Sequence, residues 1–125
     1  MKALIVKEAD LAEQELADAL MPYLRFSDSG DLFTTEEFDL LTTRDRVLCV
    51  LLAARALNAL DRRDQPGMRN AEVQDLTGMP AGTVNPKLAG LKKDRIATKD
   101  GGYWVVAPYA LRKVANELAS KAKST

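Results

Sequence analysis

Between Pro66 and Pro108 the chain is cut into short segments by residues that favour turns, and this punctuation admits few architectures. The cuts fall at Pro66-Gly67, Gly78-Met79-Pro80, Asp100-Gly101-Gly102 and Pro108. Asn70 can cap a helix that carries Val73 and Leu76 and stops at Gly78, a residue that takes positive φ at no steric cost. Pro80 opens a second helix whose inner face is Val84, Leu88 and Leu91, with Met79 placed to plug the angle between the two. Arg95-Ile96-Ala97-Thr98 reads as a strand, Gly101-Gly102 as a tight hairpin turn, and Tyr103-Trp104-Val105-Val106 as the return strand. Trp104 is expected to pack inward and Tyr103 to face the surface, because neighbours on a strand point opposite ways. After Pro108 a last amphipathic helix carries Leu111, Val114, Ala115 and Leu118, with Lys121 to Thr125 as a frayed end. Pro86 costs about 3 kcal/mol inside a helix, unless the helix begins late enough to place it in the first turn.

The first half is built from longer apolar runs. Ala9, Ala12, Leu16, Ala19, Leu20 and Tyr23 recur at helical spacing and predict a helix from about Glu8 to Phe26. Leu4-Ile5-Val6 either starts that helix or forms a short strand. Asp28-Ser29-Gly30-Asp31 is a turn cluster. Thr34 and Glu37 fit a capping box for a short helix over about Thr35 to Leu41. Thr42 or Thr43 can cap the next helix, which runs to about Asp61. Its residues Val47, Leu48, Val50, Leu51, Leu52, Ala54, Leu57 and Leu60 are apolar nearly all round, the mark of a helix packed on several sides. Residues 61–67 form a connector.

Composition removes several function classes. The 125 residues are 46% hydrophobic, enough for one real core. No apolar run approaches the roughly 20 residues of a membrane span. The first residues hold too short an apolar stretch for a signal peptide, so the expected location is cytoplasmic. Cys49 is the only cysteine, and it lies in the apolar run Val47 to Leu52, where a thiol acts as a small hydrophobe. There is no histidine. That removes the commonest metal ligand and acid–base catalyst, and no metal, cofactor or enzymatic activity is expected. Net charge is zero but uneven. Residues 1–64 hold 8 Lys/Arg against 13 Asp/Glu, and residues 65–125 hold 10 against 5. The second half therefore suits an anionic partner, and the acidic first half is open to a protein partner.

Helix, glycine turn, helix and hairpin, in that order, resemble a winged helix-turn-helix. The expected fold is mainly α with a small β-hairpin: a winged helix-turn-helix domain over 42–121 behind an N-terminal helical extension, 1–41, available for dimerisation. Gly82-Thr83-Val84-Asn85-Pro86-Lys87-Leu88, followed by Leu91 and Ile96, is similar to the recognition-helix segment of PadR-like transcriptional regulators. Tyr103 to Val106 and then Arg112 resemble that family's strand and following helix. The resemblance covers about residues 69–118 and implies a homodimeric DNA-binding regulator whose last helix helps to pair two copies. Three departures leave MarR-like and other winged-helix families open. Asn85 stands where an aromatic residue often precedes the proline. Asp94-Arg95 replaces the usual glycine, and residues 46–70 lack the family's opening motif.

The implied partner is double-stranded DNA. On the recognition helix, Thr83, Asn85, Lys87 and Lys93 could reach polar edges; Asn suits adenine and Lys guanine. The rest of its outer face, Gly82, Pro86, Ala89 and Gly90, has no hydrogen-bonding side chains. On the wing and its flank, the candidates are Arg69, Asn70, Arg95, Lys99, Gly101, Gly102 and Tyr103, chiefly for the phosphate backbone. The competing reading is a winged-helix module that binds another protein. Solvation alone also accounts for an exposed basic face.

Overall fold

The computed structural model describes residues 16–29 and 31–123. The chain is mainly helical with two small antiparallel hairpins. Residues 16–20 are helical (α1). A hairpin follows, β1 (Leu24–Phe26) with β2 (Leu32–Thr34), then the short α2 (Glu36–Asp39) and the long α3 (Thr43–Ala59). The second half is α4 (Asn70–Thr77), α5 (Ala81–Lys93), the hairpin β3 (Ala97–Asp100) and β4 (Tyr103–Val106), a 3-10 turn at Pro108–Ala110, and α6 (Leu111–Lys123).

The first hairpin corrects the expected helix to Phe26. Helical structure ends at residue 20, and Leu24 pairs with Thr34, Arg25 with Phe33, and Phe26 with Leu32. Ser27 closes the turn: its amide donates to Asp31 O (2.9 Å) and its Oγ accepts from Asp31 N (3.0 Å). The expected start at Glu8 and the Leu4-Ile5-Val6 stretch lie outside the described residues. The capping box expected at Thr34 is also absent. Thr34 ends β2, and Thr35 takes the N-cap position of α2 without a side-chain cap. Its hydroxyl donates instead to Pro22 O (2.7 Å), tying α2 to the hairpin.

At the centre, Thr42 rather than Thr43 caps α3, its Oγ1 accepting from Asp45 N (3.2 Å). Every residue from Val47 to Ala54 is buried, which requires neighbours on all sides. α4, α5, β4 and α6 supply them. Leu51 and Leu88 are fully buried and Leu91 is nearly so. Cys49 lies wholly inside, and burial pushes its thiol pKa far up, so it behaves as a small apolar group. One hydrophobic cluster runs from Leu16, Leu20 and Tyr23 through α3 to Leu118. The Tyr23 hydroxyl donates to Leu118 O (2.6 Å), a buried bond between the two ends of the fold. Buried Asp45 accepts from Thr42 Oγ1 (2.9 Å) and pairs with Lys121 of α6.

The turn chemistry of the second half follows the glycines. Gly78 ends α4 at φ 70°, and buried Met79 fills the angle before Pro80 caps α5. Gly101 (φ 58°) and Gly102 (φ 88°) make the two-residue turn between Asp100 and Tyr103. Trp104 and Val106 are buried on one face of β4, as strand alternation requires. Other boundaries shift. Arg69, not Asn70, holds the N-cap position of α4, and Asn70 is its first residue. Pro86 lies inside α5 and faces solvent, where water can satisfy the carbonyl that loses its amide partner. Arg95 is not in the strand. It ends α5 in the left-handed region (φ 62°), with Ile96 N donating to Leu91 O (2.9 Å) and Arg95 N to Lys92 O (3.0 Å). This is a Schellman closure with arginine where glycine would be unstrained. Asp61 (φ 58°) closes α3 in the same way.

Candidate nucleic-acid interface

Three elements converge at the turn of the second hairpin. β3 and β4 are joined to the approach to α4 by a short bridge: Met68 N donates to Trp104 O (3.0 Å), and Trp104 N to Met68 O (2.7 Å). This ladder places Arg69 and Asn70, at the start of α4, beside the hairpin. The Arg69 guanidinium lies over the Tyr103 ring, 4.7 Å from its centroid. The cation stacks on the electron-rich face of the ring, which orders the arginine while leaving it exposed. Lys99 pairs across the hairpin with Trp104, and its ammonium lies 5.3 Å from the indole centroid.

The third element is α5. Trp104 is only 6% exposed, and its indole Nε1–H donates to Asn70 Oδ1 (2.8 Å). Asn70 Nδ2 in turn donates to Asn85 Oδ1 (2.7 Å). A buried tryptophan needs a partner for its N–H, and this one finds it at a helix start 34 residues away. The relay locks β4, α4 and α5 together at the surface. Reading Asn70 as a helix cap hides this role, and the signal available in the sequence is the inward Trp104 itself.

Asn70, Asn85 and Lys99 thus gather around Trp104 on one face of the hairpin, and Arg69 stacks on Tyr103 on the other, both groups close to Gly101 and Gly102 at the turn. The other candidates are dispersed. At about 100° per residue, Lys87 is roughly 200° from Asn85 around α5, on the opposite flank of the buried stripe. Lys92, seven residues from Asn85, falls on nearly the same stripe and is exposed. Lys93 is exposed near the far end of α5, and Thr83 is half-buried in its first turn. Arg95 sits at the base of the hairpin and not at its tip, where its carbonyl accepts from the Tyr109 hydroxyl (2.6 Å).

A clamp behind this surface holds α4. Arg63 donates to Gly67 O (2.7 Å) and to Glu72 Oε1 (2.8 Å), and Glu72 Oε1 also accepts from Arg69 N (3.3 Å). The Arg63 hydrogen bond chiefly lowers the Glu72 pKa below its ordinary value. A depressed carboxylate pKa stabilises the fold above the unfolded-state value, and that contribution is lost as pH falls through the folded value. Glu72→Gln should therefore be less stable than the parent at pH 7, with the gap closing below about pH 4. Urea unfolding of both proteins across that range measures it, and a gap independent of pH would contradict the clamp.

Among the described residues no helix is long and apolar enough to cross a membrane. Compared with family models, curated proteins and solved structures, the chain matches none.

Proposed function

We propose that residues 42–121 form a winged helix-turn-helix that binds double-stranded DNA, with α5 as recognition helix and the β3–β4 hairpin as wing. The observation that carries this reading is the convergence of Asn70, Asn85 and Lys99 from three elements around Trp104, with Arg69 on the other face of the same hairpin, beside a glycine turn. A glycine turn lets a phosphate backbone approach closely, and Arg69 and Lys99 carry the charge to meet it. The role fits a transcriptional regulator, and the segment around Asn85-Pro86 favours a PadR-like one. A protein-binding module is the second reading. It is favoured by the side-chain-poor outer face of α5, where Gly82, Pro86 and Ala89 are exposed.

Fluorescence anisotropy on random duplexes at several salt concentrations separates the two. Each phosphate neutralised contributes about −0.9 to the slope of log affinity against log salt. Lys99→Ala should weaken binding to all sequences alike and flatten that slope by about one unit. Folded protein that binds no duplex at low salt would abandon the DNA reading and leave α5 as a protein interface.

Two copies are proposed to act together, since two-fold proteins match paired half-sites. The apolar sides of the terminal segments are consumed within one chain, where Leu16, Leu20, Val114 and Leu118 are buried. Pairing would use what stays exposed, such as Met21, Phe33, Leu40 or Tyr109. Sedimentation should show a dimer at tens of micromolar, an order-of-magnitude choice for ordinary dimers. A monomer there would remove the pairing.

A further inference from the structure

We infer that Asn85 is held with its NH2 group turned to the outside, and so favours an acceptor-only partner, the N7/O6 edge of guanine or a phosphate oxygen. This rests on the DNA reading above.

The direction of the relay follows from its first member. An indole N–H can only donate, so the end of the Asn70 amide 2.8 Å from it must be oxygen. The other end of Asn70 is then its NH2 group, and it lies 2.7 Å from Asn85. That end of the Asn85 amide must therefore be the carbonyl. What remains is the Asn85 NH2 group, exposed and without a partner among the described residues. The Trp104 backbone is fixed by its double bridge to Met68 and its ring is buried, so the core sets the polarity of a surface side chain.

An unconstrained asparagine can turn its amide either way and pairs best with adenine, giving to N7 and accepting from N6. Here the carbonyl that adenine requires is turned to Asn70. Guanine presents N7 and O6, both acceptors, to the same groove and needs only donors. A phosphate oxygen has the same requirement. Asn70 is thus a positioning residue for Asn85.

The test uses Asn70→Asp. A carboxylate still accepts from Trp104 but donates nothing, so Asn85 must turn its NH2 group inward and expose its oxygen. An acid is favoured in the first turn of a helix, so α4 should survive, and a thermal melt checks this. Both proteins are used to select from a pool of random duplexes. The parent should select guanine at one position, and 7-deazaguanine there should lower affinity about fivefold, the size of one hydrogen bond. Asn85→Ala should erase that preference alone, and Asn70→Asp should move it toward adenine. If Asn85→Ala instead weakens all sequences alike, and a neutral methylphosphonate linkage removes the difference, the donor faces phosphate and the inference stands. Selection of adenine by the parent would overturn it. Absence of any duplex binding would overturn the DNA reading instead. Side-chain amide hydrogen exchange in the free parent protein then decides the relay: it stands if the Asn70 NH2 is protected and the Asn85 NH2 is not, and falls if the order is reversed.

Discussion

Gly67→Ala should lower the stability of the fold by about 3 kcal/mol or more, at or beyond the upper end of ordinary overpacking. A Cβ at this position would lie 2.4 Å from Trp104 O and 2.6 Å from Val105 Cγ2. The nearer atom is backbone, and it already accepts from Met68 N at 3.0 Å. Trp104 O cannot retreat without opening the bridge that joins α4 to the second hairpin. The loss should extend to function, because the same Trp104 orders Asn70. Urea unfolding followed by Trp104 fluorescence gives the midpoint. A midpoint equal to the parent's would show that the close approach at Gly67 is not required.

Leu88→Ala should cost about 2–5 kcal/mol, the range for a leucine removed from a tight core. Leu88 is fully buried between α5 and α3 and has no exposed atoms through which the site could relax. Its neighbour Lys87 is exposed, so Lys87→Ala should fall within about 0.5 kcal/mol of the parent. Thermal unfolding of the pair reads the orientation of α5 directly. Equal losses for the two variants would mean that the helix is rotated from the position described.

The contrast between these neighbours was legible in the sequence, since Val84, Leu88 and Leu91 define one stripe at helical spacing. So were the Gly78 turn, the start of α3 to within the two threonines Thr42 and Thr43, and the register at Gly101-Gly102, each set by local chemistry. The N-terminal hairpin was not. Leu16, Ala19, Leu20 and Tyr23 keep helical spacing up to the first strand, and the strand pattern beyond is blurred because Phe26 and Phe33 both stay exposed. Arg95 escaped for a different reason. An arginine in the left-handed region costs roughly 1–2 kcal/mol, and local preference alone would not place it there. Tertiary placement of Ile96, buried just after it, accounts for the choice.

The candidate surface was legible as a set of residues but not as a shape. Asn70 and Asn85 are separated by fifteen residues, and Asn70 has a plain local explanation as a cap. Only the fold shows that they hold each other. Lys87 and Asn85, close in sequence, prove to flank α5 on opposite sides.

The bond from Tyr23 to Leu118 has a consequence for synthesis of the chain. The two residues are 95 positions apart. Translation at about 5–20 residues per second puts roughly 5–20 seconds between their emergence. During that interval Tyr23 has been made while Leu118, whose carbonyl its hydroxyl meets, does not yet exist. Nascent protein therefore lacks this buried bond until α6 has been made, and the segment around Tyr23 reaches its final hydrogen bonding only then.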